Sequence, residues 1–171
     1  SVSRGLGDVY KRQEYLTKFG GHPMAAGLSL EEENVERFRR KLNEQSGLTE
    51  EDLVEKVTID VPMPIHYIRK DLVQELSLLE PFGKGNEKPL FAQKNLWVSQ
   101  MRVFGKNRNV VKMRLTDENG YPMDGVYFGN GDEFAEEGRG KRKISIVYYP
   151  DINMYQGRES LQVIIRHYQF D

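Results

Sequence analysis

Residues able to do chemistry gather first in Phe19-Gly20-Gly21-His22-Pro23-Met24-Ala25-Ala26-Gly27. Two adjacent glycines let the backbone take positive φ and bring bare N–H groups close to a ligand, and His22 adds a ring that can donate to an anion. Gly20, Gly21 and His22 are thus the components of a phosphate contact. Pro23 fixes φ and withdraws a donor, while Ala25, Ala26 and Gly27 let another element approach at short range. A plainer reading stands beside it: Gly20-Gly21 ends a helix over Glu14 to Phe19, and His22 opens a strand.

The second gathering is basic and aromatic. Lys106 and Arg108 lie in the turn Gly105 to Asn109, Lys112 and Arg114 share one face of the following strand by period two, and Tyr155 and Arg158 lie in a later loop. Phe104, Tyr127, Tyr148 and Tyr149 are candidate platforms for nucleobases, because a ring under a base gains roughly 1–3 kcal/mol whatever the sequence. Alternation turns some of these rings inward as core, and Trp97 is read as core. The run Gly138 to Lys143, GRGKRK, either tracks phosphates or is a solvated turn.

The elements that must position these residues change character along the chain. Met24 to Leu30 is expected as a short strand, and Glu31 to Glu44 as a helix with Val35, Phe38 and Leu42 on one face and a cap at or near Ser29. This segment is below the size at which a domain stands alone, so part of an apolar face should be left open. Thr49 to Glu55 reads as an acidic, loosely helical linker, Val57 to Val61 as a strand ended by Pro62, and Arg69 to Leu79 as a helix burying Leu72, Leu76 and Leu79. The loop Pro81 to Pro89, PFGKGNEKP, is shaped by its glycines and prolines.

From Leu90 the period is two. Strands are expected over Phe91 to Val103, long or bent, then Val110 to Thr116, Pro122 to Phe128, a fourth that begins with Ile144 to Tyr149, and Leu161 to Tyr168, with turns at Asn119-Gly120 and Asn153 to Gly157 and a short helix over Asp132 to Glu137. Five strands with a helix after the third describe an OB-fold, whose second and third strands and neighbouring loops often bind single strands. Those are the places that hold Lys106, Arg108, Lys112, Arg114, Tyr127, Tyr155 and Arg158.

Gly20 to Gly27 resembles the signature of the DHH-associated domain in RecJ-type single-strand-specific exonucleases. Leu79-Glu80-Pro81-Phe82-Gly83-Lys84-Gly85-Asn86, followed by Pro89-Leu90-Phe91, resembles that family's second C-terminal signature. The likeness runs from about Glu14 to Asp171. It implies an α+β chain in which a partial DHH-associated α/β segment is followed by a five-stranded OB-fold β-barrel. The implied spans are a non-native or disordered tail over 1–13, the end of the DHH-associated domain over 14–47, a linking strand and helix over 48–89, and the barrel over 90–171.

The resemblance also implies a parent enzyme that hydrolyses single-stranded DNA from the 5′ end, in repair or recombination, with Mn²⁺ or Mg²⁺. The metal-holding Asp-His-His domain has no counterpart in these residues, so no cofactor and no catalytic residue is assigned to this chain. Its partners are then single-stranded DNA and that missing domain. A non-catalytic single-strand-binding module and a DHH-type phosphodiesterase of short oligonucleotides are the alternatives.

Composition sets the outer bounds. The 171 residues, 38% hydrophobic, can bury one core, and the absence of cysteine excludes disulfides and thiolate metal sites, which fits a cytoplasmic location. No apolar run is long enough to span a bilayer, so no membrane partner is expected. His22, His66 and His167 form no metal-binding pattern. The net charge of −1 is unevenly spread: residues 14–89 hold 10 Lys and Arg against 15 Asp and Glu, whereas residues 90–171 hold 12 against 10. A basic groove on the second half is thereby permitted.

Overall fold

A computed structural model describes residues 16–22, 25–54 and 56–171, which divide into two compact units between Lys56 and Val57. In the first unit, strands β1 (Lys18–His22) and β2 (Ala25–Ser29) form an antiparallel hairpin, with Gly20 opposite Gly27 and His22 opposite Ala25. Thr17 closes its open end by donating both its amide and its hydroxyl to the Ser29 carbonyl. The expected helix over Glu14 to Phe19 is therefore replaced by strand from Lys18 onward, and Glu14 and Tyr15 lie outside the described residues. Gly20 is extended within the strand and does not terminate a helix.

A 3₁₀ turn at Glu32–Asn34 leads into helix α1 (Val35–Gln45), which buries Phe38 and leaves Val35 exposed. Ser29 ends β2 and caps nothing; the residue before the helix is Asn34, which makes no side-chain cap bond. Helix α2 (Glu50–Leu53) starts where both the amide and the hydroxyl of Thr49 donate to the Asp52 carboxylate and the Asp52 amide donates to the Thr49 carbonyl. Within 14–47 Leu28 and Val35 are exposed, in line with the open apolar surface expected of so short a segment, and Leu48, Leu53 and Val54 are exposed in the stretch that follows.

The second unit is built on a ring of strands. β3 (Val61–Pro62) adds in parallel to the start of β4 (Phe91–Phe104), and β4 pairs with β5 (Val110–Thr116), which pairs with β6 (Pro122–Phe128). β6 runs parallel to β8 (Arg158–Phe170), β8 pairs with β7 (Lys143–Tyr155), and β7 returns to β4. The order β4-β5-β6-β8-β7 thus closes on itself. That strand order, with helix α4 (Gly131–Glu137) between the third and fourth strands, is the OB topology.

One strand reaches both neighbours because it bends twice. Asn95 and Gln100 take φ of 58° and 52°, and the register slips between Gln93 and Leu96 against β7 and between Ser99 and Arg102 against β5. Each slip is a bulge, which increases local twist and re-aims the strand. Leu96 points inward before the second bulge, and Met101 and Val103 after it.

Helix α4 plugs one end of the barrel. Asn130 caps it through Glu133 N, and Phe134 is fully buried against the rings of Tyr127, Tyr168 and Phe170. Gly131 starts the helix where a Cβ would stand 2.5 Å from the Arg108 carbonyl and 2.6 Å from Val103 Cγ1, so no larger residue fits without movement.

The stretch before the barrel joins its core through the buried Ile65 and Ile68. The strand expected over Val57 to Val61 shrinks to Val61–Pro62, because only these two residues meet a partner, and Pro62 lies in the pairing that it was expected to end. Helix α3 (Lys70–Ser77) packs Val73 and Leu76 on the core, whereas Leu79 lies past its end and is exposed. In the following loop Asn86 donates to the Leu79 and Pro81 carbonyls and bridges to Gly83 through the backbone, which fixes the loop.

The β7–β8 hairpin is longer than its sequence signals suggested. Its ladder continues through Asn153 opposite Ser160 to Tyr155 opposite Arg158, and the turn is Gln156-Gly157, with φ of 48° and 75°. Two residues of positive φ fit a two-residue primed turn, so Asn153 to Tyr155 belong to the strand.

Candidate nucleic-acid interface

On β5, Val111, Met113 and Leu115 are buried, so Lys112 and Arg114 stand on the outer face. Cross-strand register extends that face into rows. Arg102, Lys112, Val126, Ile164 and Tyr149 are successive partners across β4, β5, β6, β8 and β7. One step towards the strand ends, Phe104, Val110 and Phe128 form a second row. Strands about 4.8 Å apart place Arg102 and Lys112 side by side. They line a depression together with Phe104, Arg114, Asp124, Asn153 and Gln162.

The rings differ in what they offer. Phe104 is 45% exposed and Phe128 59% exposed, at opposite ends of a row beside the two cations. Tyr127, expected as a stacking platform, instead turns inward with its ring centroid 4.8 Å from Phe134 and 5.2 Å from Tyr168. Tyr148 is fully buried and donates its hydroxyl to the Met63 carbonyl, and burial pushes that hydroxyl's pKa well above the usual tyrosine range. Tyr168, also packed on Phe134, is pushed up to about 12, first by burial and then by nearby Glu137.

The cations differ too. Arg108 clamps Asp132 at the start of α4 with Nε bonds of 2.8 and 2.9 Å, and its φ of 52° bends the turn to allow this. The clamp raises the Arg108 pKa and holds the Asp132 carboxyl low. Arg114 is likewise engaged by Asp124, its cross-strand neighbour. Arg108 and Arg114 are therefore partly neutralised, unlike the free phosphate cations that residue type alone suggested. Arg102, Lys106 and Lys112 make no ion pair among the described residues. Tyr155 and Arg158 face each other at the exposed hairpin tip, two residue pairs beyond Asn153 and Ser160.

Sequence reasoning missed Arg102 and Phe128. Simple alternation from Leu96 puts Arg102 inside; only the bulge at Gln100 turns it out. Phe128 was legible, since alternation from Met123 and Gly125 leaves it outside. Trp97 was expected in the core but is 46% exposed, with Lys143 Nζ 4.7 Å from its ring, because Leu96 takes the inward place.

Gly20, Gly21 and His22 lie together on β1, in the first unit, and their cross-strand partners Gly27, Ala26 and Ala25 are all small. Pro23 and Met24 lie outside the described residues. Among the described residues no three His, Asp or Glu side chains gather as metal ligands. No helix of the described residues is long and apolar enough to cross a membrane.

Strand order and closure define an OB-fold module attached to a smaller α/β unit. A family profile described as the RecJ OB domain matches residues 59–167, and the chain belongs to that family. It is 36% identical over 158 residues to the single-stranded-DNA-specific exonuclease RecJ of Bacillus subtilis, covering 90% of this chain and 20% of the relative. Against the Escherichia coli protein of the same description it is 33% identical over 153 residues, covering 88% and 26%. The chain thus spans about a fifth to a quarter of the length of these relatives. The fold matches crystal structures of Thermus thermophilus RecJ in complex with Mg²⁺, at TM-score 0.74 and 21% identity over 96% of this chain and 24% of that one, and with Mn²⁺, at TM-score 0.73 and 22% identity over 98% and 23%.

Proposed function

We propose that the barrel binds single-stranded DNA and guides it towards a hydrolytic domain outside these residues, as part of a 5′–3′ exonuclease acting in repair or recombination. The observation that carries this reading is the pairing of two unneutralised cations, Arg102 and Lys112, with the exposed rings of Phe104 and Phe128 on one continuous face. Cations along a backbone and rings under bases make up the sequence-tolerant mode of single-strand binding. The relatives' description as single-stranded-DNA-specific enzymes agrees with it. Lys106 and, at the hairpin tip, Tyr155 and Arg158 extend the same track.

In the parent enzyme, Gly20, Gly21 and His22 hold a substrate phosphate opposite the metal domain. Mn²⁺ or Mg²⁺ bound in that domain activates water. The role of this chain's residues is to bind and orient the strand.

Fluorescence anisotropy with labelled oligo-dT tests the reading. Arg102→Ala with Lys112→Ala should weaken binding and flatten the salt dependence by about 0.7 for each phosphate that is no longer neutralised. Phe104→Ala with Phe128→Ala should weaken binding at all salt concentrations. Unchanged affinity in both double variants would remove the strand from this face.

A further inference from the structure

The loop Pro81 to Pro89 plays no part in the face described above, yet it borders two adjoining cavities. Both are lined by Phe82, Lys88 and Tyr149. The Lys88 ammonium stands at their junction, 4.0 Å from the Tyr149 ring centroid and 5.5 Å from that of Phe82. Beyond it on one side lie Lys84 and Arg166, with Glu87 as the single carboxylate of that cavity. None of these three cations makes an ion pair among the described residues.

The cavity on the other side has the opposite character. Val73, Leu76, Pro150 and Ile152 form apolar walls, and Glu80 and Asp151 place carboxylates at the rim. Its volume of about 180 Å³ compares with about 30 Å³ for one water, so it admits a flat ring and not merely solvent. A cationic end joined to an apolar slot with hydrogen-bond acceptors matches a nucleoside phosphate: anion, then ring, then a base N–H donor such as N3–H of thymine. Asn86 holds the loop in place through the Leu79 and Pro81 carbonyls, so the cations are presented on a fixed frame.

Tyr149 also ends the cross-strand row that begins at Arg102 and Lys112. Three strand spacings, about 14 Å, separate β5 from β7 along this row. We propose that the PFGKGN loop and the barrel wall form a nucleotide subsite for one unit of the single strand, its phosphate on Lys84, Lys88 and Arg166 and its base against Val73, Leu76 and Ile152. The proposal rests on the reading of the barrel as a single-strand binder and extends the track from the β5 face to the loop.

The test uses the 171-residue chain, labelled oligo-dT of about 16 nucleotides, the upper site size of one such barrel, and dTMP as a second probe. Lys88→Ala with Arg166→Ala removes two exposed cations and should weaken oligo-dT about five- to tenfold and lower the salt slope by about 1.4. Leu76→Phe, which fills the slot, should weaken binding with the salt slope unchanged, and thermal melting of each variant checks its fold. Unchanged oligo-dT affinity in Lys88→Ala with Arg166→Ala, while Arg102→Ala with Lys112→Ala still weakens it, overturns the subsite and leaves the β5 face standing. Loss of binding in neither pair overturns both. If dTMP alone binds as tightly as the oligonucleotide and depends on Lys88 and Arg166, the cavity is a free-nucleotide site and the strand subsite is overturned.

Discussion

The Nδ1 of His66 lies 2.8 Å from the carboxylate of Asp117, which is only 2% exposed and also accepts the backbone amides of Asn119 and Tyr121. One carboxylate thus ties the β5–β6 turn to the stretch that precedes the barrel. Burial alone would push the Asp117 carboxyl up, but the Tyr121 amide, the His66 ring and the Asn119 amide outweigh it and hold the carboxyl below its ordinary range.

A carboxyl whose folded pKa is depressed contributes stability that is present above its unfolded value, about 3.9, and is lost as pH falls through the folded value. Stability should therefore decline on acidification below about pH 4. Asp117→Ala leaves two amides and the imidazole without an acceptor and should cost about 1–3 kcal/mol at neutral pH. Urea denaturation at several pH values checks both; an Asp117→Ala variant with the acid slope of the parent would remove Asp117 as its source.

Gly131 meets the Arg108 carbonyl and Val103 more closely than any Cβ tolerates. Gly131→Ala should destabilise the chain by about 1–3 kcal/mol through forced displacement of α4 from the β4–β5 turn. Helix propensity alone would favour the alanine, so a stabilised variant in a thermal melt would contradict the packing described.

Arg114 shares its charge with Asp124, and Lys112 does not share its own. Lys112→Ala should accordingly weaken oligo-dT binding more than Arg114→Ala does. Asp124→Asn should strengthen it, by about two- to threefold at low salt, because Arg114 is then free for phosphate. Titrations at two salt concentrations decide the order, and equal losses at both positions would mean that the ion pair opens on binding.

His22→Ala should leave oligo-dT affinity of the 171-residue chain nearly intact and slow cleavage by the full-length enzyme, since its proposed contact is with a phosphate near the metals. Normal turnover in that variant would return His22 to a packing role.

The barrel was legible in the sequence because its strands alternate cleanly between turns that contain glycine, and β5 and β6 fall on their expected residues. Two features were hidden for physical reasons. Bulges at Asn95 and Gln100 break the period of two without a glycine to mark them, which concealed Arg102 and misplaced Trp97. The tip of the β7–β8 hairpin reads as loop because Asn153 and Gly157 are turn residues by type, yet cross-strand bonds carry the ladder to Tyr155. At the interface, residue type located the basic cluster but not its state. Whether an arginine faces solvent or a carboxylate is settled by register, as Arg114 and Asp124 show.

The ring of strands carries β3, two residues long, as a parallel addition at the start of β4. Where the ring is closed each strand has a bonded neighbour on both sides, which gives neighbouring chains little to latch onto by strand addition there. At the closed part of the ring the barrel can therefore sit beside another polypeptide without recruiting it into a mixed sheet.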